Sequence, residues 1–190
     1  MVKEMELKVT DINKDEVVKR LKSLDAKYVD TYMYRRIISI PKQNGRGESW
    51  FRIRSDGKKH VVTFKQKNGS RLAQDKYEMQ IADIGEYAKI FMDAPYKILY
   101  FENKRVEYNL DGNKITIDKW PYLPWSLEIE GGSKKEIMEM FRRLALKKGR
   151  PLGNMSGRKG YSHHGLDYEK IGTKNLKKIK NLINLQSYKI

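Results

Sequence analysis

A period of two returns eight times along this chain, and that recurrence is the strictest limit on what it can fold into. Apolar and polar residues alternate over residues 2–10, 28–40, 48–55, 59–67, 74–82, 96–109, 113–119 and 125–131. Side chains on a strand point to opposite faces in turn, so each segment reads as a strand with one apolar face and one polar face. Asn44-Gly45, Asp56-Gly57, Asn68-Gly69 and Asp111-Gly112 fall between such segments. These dipeptides supply the positive φ angles of tight hairpins, so neighbouring strands run mostly antiparallel.

Helices interrupt the pattern. Asn13 with Glu16, Asp83 with Glu86 and Ser133 with Glu136 have capping-box spacing, and each precedes apolar residues at helical intervals. A last helix is predicted over about 174–187, with Leu176, Ile179, Leu182 and Ile183 on one side and lysines on the other. Docking on the rest of the chain is the expected fate of that stripe. Pro151-Leu152-Gly153-Asn154 reads as a loop.

The polar faces of the strands are charged and sorted by sign. Glu4, Glu6 and Lys8 share a face of the first strand, and Ser126, Glu128 and Glu130 share one of the last. Between them lie Arg52 and Arg54, Thr63, Lys65 and Lys67, Lys76, Glu78 and Gln80, Arg105 and Glu107, and Thr116 and Asp118. One such face alone suits a sheet wetted on one side. The set suggests a sheet rolled up with its charges inside, so that the first and last strands meet and an acidic cluster faces a basic wall. Crowded carboxylates repel unless a divalent cation neutralises them, and Mg2+ or Mn2+ prefers such oxygen ligands. Residues i and i+2 of a strand lie about 7 Å apart, close enough to share an ion. Arginine and lysine opposite would hold phosphate oxygens.

Composition narrows the function classes. No cysteine is present, which excludes disulfides, thiol nucleophiles and thiolate zinc sites. No apolar run reaches the roughly 20 residues needed to span a bilayer, and no secretory leader pattern opens the chain, so a soluble cytoplasmic protein is expected. The net charge of +16 is concentrated beyond residue 141, where 13 basic residues face only Asp167 and Glu169. That third is either a solvated lysine-rich surface or an attractor of polyanions, nucleic acid included. His60, His163 and His164 lack metal-motif spacing and read as ordinary surface residues. Trp120 and Trp125, beside Pro121 and Pro124, read as a packed loop.

In order and spacing these motifs resemble the CYTH, or triphosphate tunnel metalloenzyme, family over about residues 1–170. The matching elements are Glu4-Met5-Glu6-Leu7-Lys8, Arg52-Ile53-Arg54, Thr63-Phe64-Lys65, Lys104-Arg105, and Asp118 followed by Glu128-Ile129-Glu130. The stretch "YSHHGLD", residues 161–167, resembles the family's C-terminal Tyr-x-x-Tyr-Gly-x-Asp, with His164 replacing a tyrosine.

The resemblance implies an α+β fold: an eight-stranded antiparallel closed β-barrel, open as a tunnel, with helices packed outside. Residues 1–170 would form the tunnel domain, and 171–190 a basic helix docked on it. Lys8, Arg52, Arg54, Lys65 and Arg105 would grip a triphosphate. Glu4, Glu6, Glu128 and Glu130, with Asp118, would hold two Mg2+ or Mn2+ ions. Lys8 would stabilise the transferred group, and Glu4 and Glu6 would orient water. The implied reaction is hydrolysis of an inorganic or organic triphosphate. An adenylyl cyclase forming cyclic AMP and pyrophosphate, and a non-catalytic polyanion-binding module, are the alternatives. The implied partner is a small triphosphate, with no membrane and a monomer or homodimer. Strand five departs from the family pattern by carrying Gln80 after Glu78 where two acids are usual.

Overall fold

Nine strands, arranged in the order β5-β4-β3-β2-β6-β7-β8-β1-β9, make one antiparallel sheet in the computed structural model. It describes residues 2–40, 49–67, 73–93, 96–153 and 157–186, with side chains for all of these except 2–4, 67, 73–74 and 182–186. The strands are β1 (Val2–Thr10), β2 (Lys27–Ile40), β3 (Ser49–Ser55), β4 (His60–Lys67), β5 (Ala73–Ile81), β6 (Lys97–Leu110), β7 (Asn113–Lys119), β8 (Trp125–Gly131) and β9 (Arg150–Gly153). Six helices accompany them among the described residues: α1 (Lys14–Ser23), α2 (Ile84–Asp93), α3 (Lys134–Leu144), α4 (Gly157–His163), α5 (Tyr168–Thr173) and α6 (Lys177–Gln186).

The eight strands expected from alternation all form, each within one residue of its predicted ends. Two corrections concern the count and the closure. Arg150–Gly153 is a strand, where Pro151 and Gly153 suggest a loop. Proline lacks the N–H that a central strand must donate, but β9 lies at the edge of the sheet, where that donor is not needed. A fully closed eight-stranded barrel is not what forms. The sheet curls strongly, and among the described residues its ends meet only where Val2–Met5 of β1 pairs with Ala73–Lys76 of β5. Farther along the same strand, Lys8–Thr10 pairs with β9 instead.

The turns and caps follow the local chemistry. Asp111 and Gly112 both have positive φ, 51° and 83°, between β6 and β7. Gly57 takes φ 95° between β3 and β4, where the Asp56 carboxylate accepts the Lys58 and Lys59 N–H groups, each at 2.8 Å. Asn44-Gly45 and Asn68-Gly69 lie outside the described residues. Asn13 caps α1, Asp83 accepts the Gly85 N–H at the start of α2, and Ser133 caps α3. Glu16 does not complete its box. It accepts the Lys147 N–H at 2.8 Å and ties α1 to the segment after α3.

The apolar core lies outside the curl. Leu7, Val9, Ile115, Ile117, Leu127 and Ile129 face Val17 and Leu21 of α1 and Ile137, Met140 and Leu144 of α3. A second cluster joins Ile37, Ile53 and Ile81 to Ile84 and Ala88 of α2 and to Ile179 of α6. The C-terminal helix therefore packs Ile179 against the sheet, and Lys178 pairs with Glu102 at 2.8 Å. The side chains of Leu182 and Ile183 lie outside those described. The short helices α4 and α5 are not marked by the sequence pattern. They cover one end of the curl, where Tyr161 and Tyr168 pack with Ile38, Leu99 and Phe101. Gly172 permits this approach, because a Cβ there would come within 2.7 Å of Leu99. Among the described residues, no helix is long and apolar enough to cross a membrane.

Candidate active site

With the apolar residues turned outward, strand parity forces the charged ones inward. They line a cavity of about 210 Å3. Strand pairing then decides which charges meet. Glu6 lies opposite Glu130, and Lys8 opposite Glu128, because β1 pairs with β8. The first and last of the predicted strands are thus neighbours, as the sign pattern suggests.

Glu6, Glu128 and Glu130 bring one carboxylate oxygen each within 4.8 Å of one another. Basic groups hold this cluster together. Lys8 Nζ lies 2.7 Å from Glu128 Oε1, Arg105 Nη2 lies 2.5 Å from Glu128 Oε2, and Lys114 Nζ lies 2.5 Å from Glu130. Burial works against the charged form of Glu128, but Lys8 and Arg105 outweigh it and hold the carboxyl well below the usual range. Burial likewise opposes the Lys8 ammonium, and the Glu128 and Glu6 carboxylates override it and raise its pKa. Both groups are charged at neutral pH. Glu4 follows the same parity on β1, but its side chain is outside those described.

Asp118 is fully buried and grips Arg105 with both oxygens, at 2.8 Å from Nε and 2.6 Å from Nη2. It also accepts from Asn103 Nδ2 at 2.9 Å and from the Thr116 hydroxyl at 3.4 Å. Burial disfavours the charge on Arg105, while Asp118 and Glu128 more than restore it. Asp118 is not in the carboxylate trio; it lies behind Arg105.

Arg36 is the residue that alternation does not reveal. It is 2% exposed, donates from Nε to Asn103 Oδ1 at 2.5 Å, and lies over the rings of Tyr34 and Trp120, 5.0 and 4.9 Å from their centres. Its Nη2 has no hydrogen-bond partner among the described residues. Burial, then the nearby Arg52 and Arg105, lower its pKa well below the ordinary guanidinium value. A buried guanidinium crowded by like charges is costly unless an anion completes it.

The rest of the basic wall comes from β3, β4 and β5. Arg52 donates to the Thr63 hydroxyl at 3.5 Å, which donates to Glu78 at 3.2 Å. Glu78 also pairs with Lys76 at 3.3 Å. Burial would raise the Glu78 carboxyl, but Lys76 and Arg54 lower it. The Arg54 guanidinium lies 4.7 Å from the Tyr34 ring, and Lys65 is buried on the cavity wall. Gln80 is exposed and is not among the residues lining the cavity. At the end covered by α4 and α5 the lining turns apolar, with Ile38, Trp50, Trp120, Leu123 and Tyr161. Trp120 here is part of the cavity wall and meets Phe101 edge to face.

Of the residues singled out in the sequence, Glu6, Lys8, Arg52, Arg54, Lys65, Arg105, Glu128 and Glu130 all line this one cavity. Asp118 supports it from behind. Sequence reasoning missed Arg36, Asn103 and Lys114. The signal for Lys114 was its place two residues before Thr116 on the same face.

The sequence matches no known family model and no curated protein. Solved structures do match. A candidate adenylate cyclase from Vibrio parahaemolyticus superposes with TM-score 0.68 at 12% identity, covering 84% of this chain and 97% of that one. A conserved hypothetical protein from Pyrococcus furiosus gives 0.67 at 22% identity, covering 76% and 92%. HpAC1 from Hippeastrum, described as a candidate adenylyl cyclase with a dominant triphosphatase activity, gives 0.57 at 13%, covering 87% and 97%. The chain therefore has a CYTH-like fold, shared with candidate adenylyl cyclases and a triphosphatase.

Proposed function

We propose that this protein hydrolyses a triphosphate in the cavity of its curled sheet, with Mg2+ or Mn2+ held by Glu6, Glu128 and Glu130. The observation that carries this reading is that one cavity joins the carboxylate trio to a wall of guanidinium and ammonium groups that includes the incompletely paired Arg36. The trio offers only oxygen donors, which suits those ions. When bound, such an ion neutralises phosphate oxygens and lowers the pKa of a coordinated water.

The chain's own groups supply the rest. Arg36, Arg52, Arg54 and Lys65 bind and orient the phosphate chain. Arg105 is held rigid by Asp118 and so presents a fixed charge. Lys8, now paired with Glu128, transfers to the phosphoryl group as negative charge develops there. Positioning and charge stabilisation of this kind account for most of phosphoryl-transfer catalysis. The apolar end beside Trp50 and Trp120 favours an organic triphosphate over the bare inorganic chain.

The same apolar end also suits a cyclase, in which a ribose hydroxyl attacks the α-phosphate. Incubation with ATP and with tripolyphosphate, plus Mg2+ or Mn2+, tests both readings. Metal-dependent phosphate release supports hydrolysis, cyclic AMP marks the cyclase, and neither product overturns the enzyme reading.

A further inference from the structure

Away from the cavity, the fold brings Asp11 to a pair of adjacent histidines about 150 residues further along the chain. Asp11 follows the last residue of β1, His163 ends α4, and His164 is the next residue. Each offers one ligand atom, and the three atoms lie within 4.8 Å of one another. His164 Nε2 lies 3.8 Å from Asp11 Oδ1 and 3.3 Å from the Thr10 hydroxyl. The two imidazole rings stand almost perpendicular, at 84°, with centres 5.1 Å apart.

We propose that Asp11, His163 and His164 form a second metal site, for a borderline transition-metal ion such as Zn2+. The donors decide the class of ion. Two imidazole nitrogens with one carboxylate suit Zn2+ and its neighbours in the first transition row, whereas the oxygen-only trio in the cavity suits Mg2+ or Mn2+. Three protein ligands would leave a fourth tetrahedral position for water. This proposal does not depend on the triphosphate reading.

Burial and hydrogen bonds anchor the backbone on both sides, which lowers the cost of assembling the site. Thr10 is buried and pairs with Arg150 of β9, and Asp11 leaves the strand with φ 60°. The two histidines sit on a tight reversal in which Leu166 N–H donates to Tyr161 O at 3.0 Å and Gly165 takes φ 66°. Tyr161 itself is fully buried and donates its hydroxyl to Pro121 O at 2.9 Å. Tetrahedral bonds of about 2.0–2.1 Å place donors roughly 3.3 Å apart. Asp11 and His163 are exposed, so their side chains are free to rotate through the small remaining distance. A bound ion would tie the end of β1 to α4, the helix that supplies Tyr161 to the cavity.

The chain has one other histidine, His60, whose Nδ1 lies 2.8 Å from the Ser55 hydroxyl. It provides an internal control. The test is titration of the full chain with ZnCl2 in excess Mg2+, followed by calorimetry and by NMR of the imidazole nitrogens. One equivalent of Zn2+ should bind, shifting the His163 and His164 resonances and leaving those of His60 in place. His163→Ala, His164→Ala and Asp11→Asn should each weaken binding by about a hundredfold or more, since even outer partners of metal ligands carry about 10–100-fold. His60→Ala should bind as the parent does. Absence of Zn2+ binding, unmoved His163 and His164 signals, or binding that survives loss of either histidine would overturn the site. The NMR readout needs no substitution, so a misfolded variant cannot obscure the result.

Discussion

Asp118 faces Arg105 across the β6–β7 hairpin and holds it by two parallel hydrogen bonds, at 2.8 and 2.6 Å. This fork fixes the guanidinium in a place where Glu128 is also within reach. An acid occupied in this way is poorly placed to coordinate a metal as well. We therefore expect Asp118→Asn to raise the KM for triphosphate while leaving the Mn2+ concentration for half-maximal activity unchanged. A shift in metal dependence would return Asp118 to the ligand set. Because the pair is buried, the substitution should also cost about 3–5 kcal/mol of stability, readable by urea unfolding.

Arg36→Met should separate stability from function. It removes a buried charge with an incomplete set of partners, so the protein without ligand should gain about 1–3 kcal/mol. Affinity for tripolyphosphate should fall at the same time. Parallel thermal unfolding and calorimetric titration check both directions; a variant that is less stable and binds unchanged would refute the role given to Arg36.

Glu6→Gln combined with Glu130→Gln should lower metal-dependent turnover by at least about a hundredfold, the usual scale for losing stabilisation of developing charge. Circular dichroism should show the fold intact, since the apolar core lies on the other face of these strands. Turnover that persists would remove the carboxylate trio from the mechanism.

Glu128 links the site to acid stability. Its folded pKa lies well below the ordinary glutamate value, so its contribution is fully present above about pH 4.3 and disappears only as pH falls through the lower folded value. The stability difference between the parent and Glu128→Gln should hold steady from neutral pH down to that point, then shrink. Unfolding curves across the acid range test this. A gap that closed on raising the pH would contradict the sign.

Trp50→Ala should discriminate between substrates. Stacking on an aromatic ring is worth about 1–3 kcal/mol, so the KM for a nucleoside triphosphate should rise roughly tenfold while that for tripolyphosphate stays unchanged. An equal change for both would assign Trp50 to packing alone.

Much of the strand architecture was legible in the sequence because period-two alternation and turn chemistry are local signals. The sorting of acids and bases between strands also survived into three dimensions, since parity alone decides which side chains share a face. What escaped depends on pairing or on tertiary context. Arg35 and Arg36 are adjacent, so they occupy both faces of β2 and alternation does not say which one is inside. The grip of Asp118 on Arg105 follows from the β6–β7 register, which no single strand displays. β9 hid behind Pro151 and Gly153, residues that stop most strands but are tolerated at a sheet edge. The meeting of Asp11 with His163 and His164 required both the end of β1 and the docking of α4, neither of which is a spacing rule.

Each strand of the curl carries two inscriptions on alternate letters, one for endurance and one for chemistry. Ile53 and Ile117 belong to the first; Arg54 and Asp118, one step along the chain, belong to the second. On such strands the residues that line the cavity can differ without changing the ones that build the outer core. One form can then be built from very different sequences, as the 12% and 13% identities to structures of the same fold illustrate.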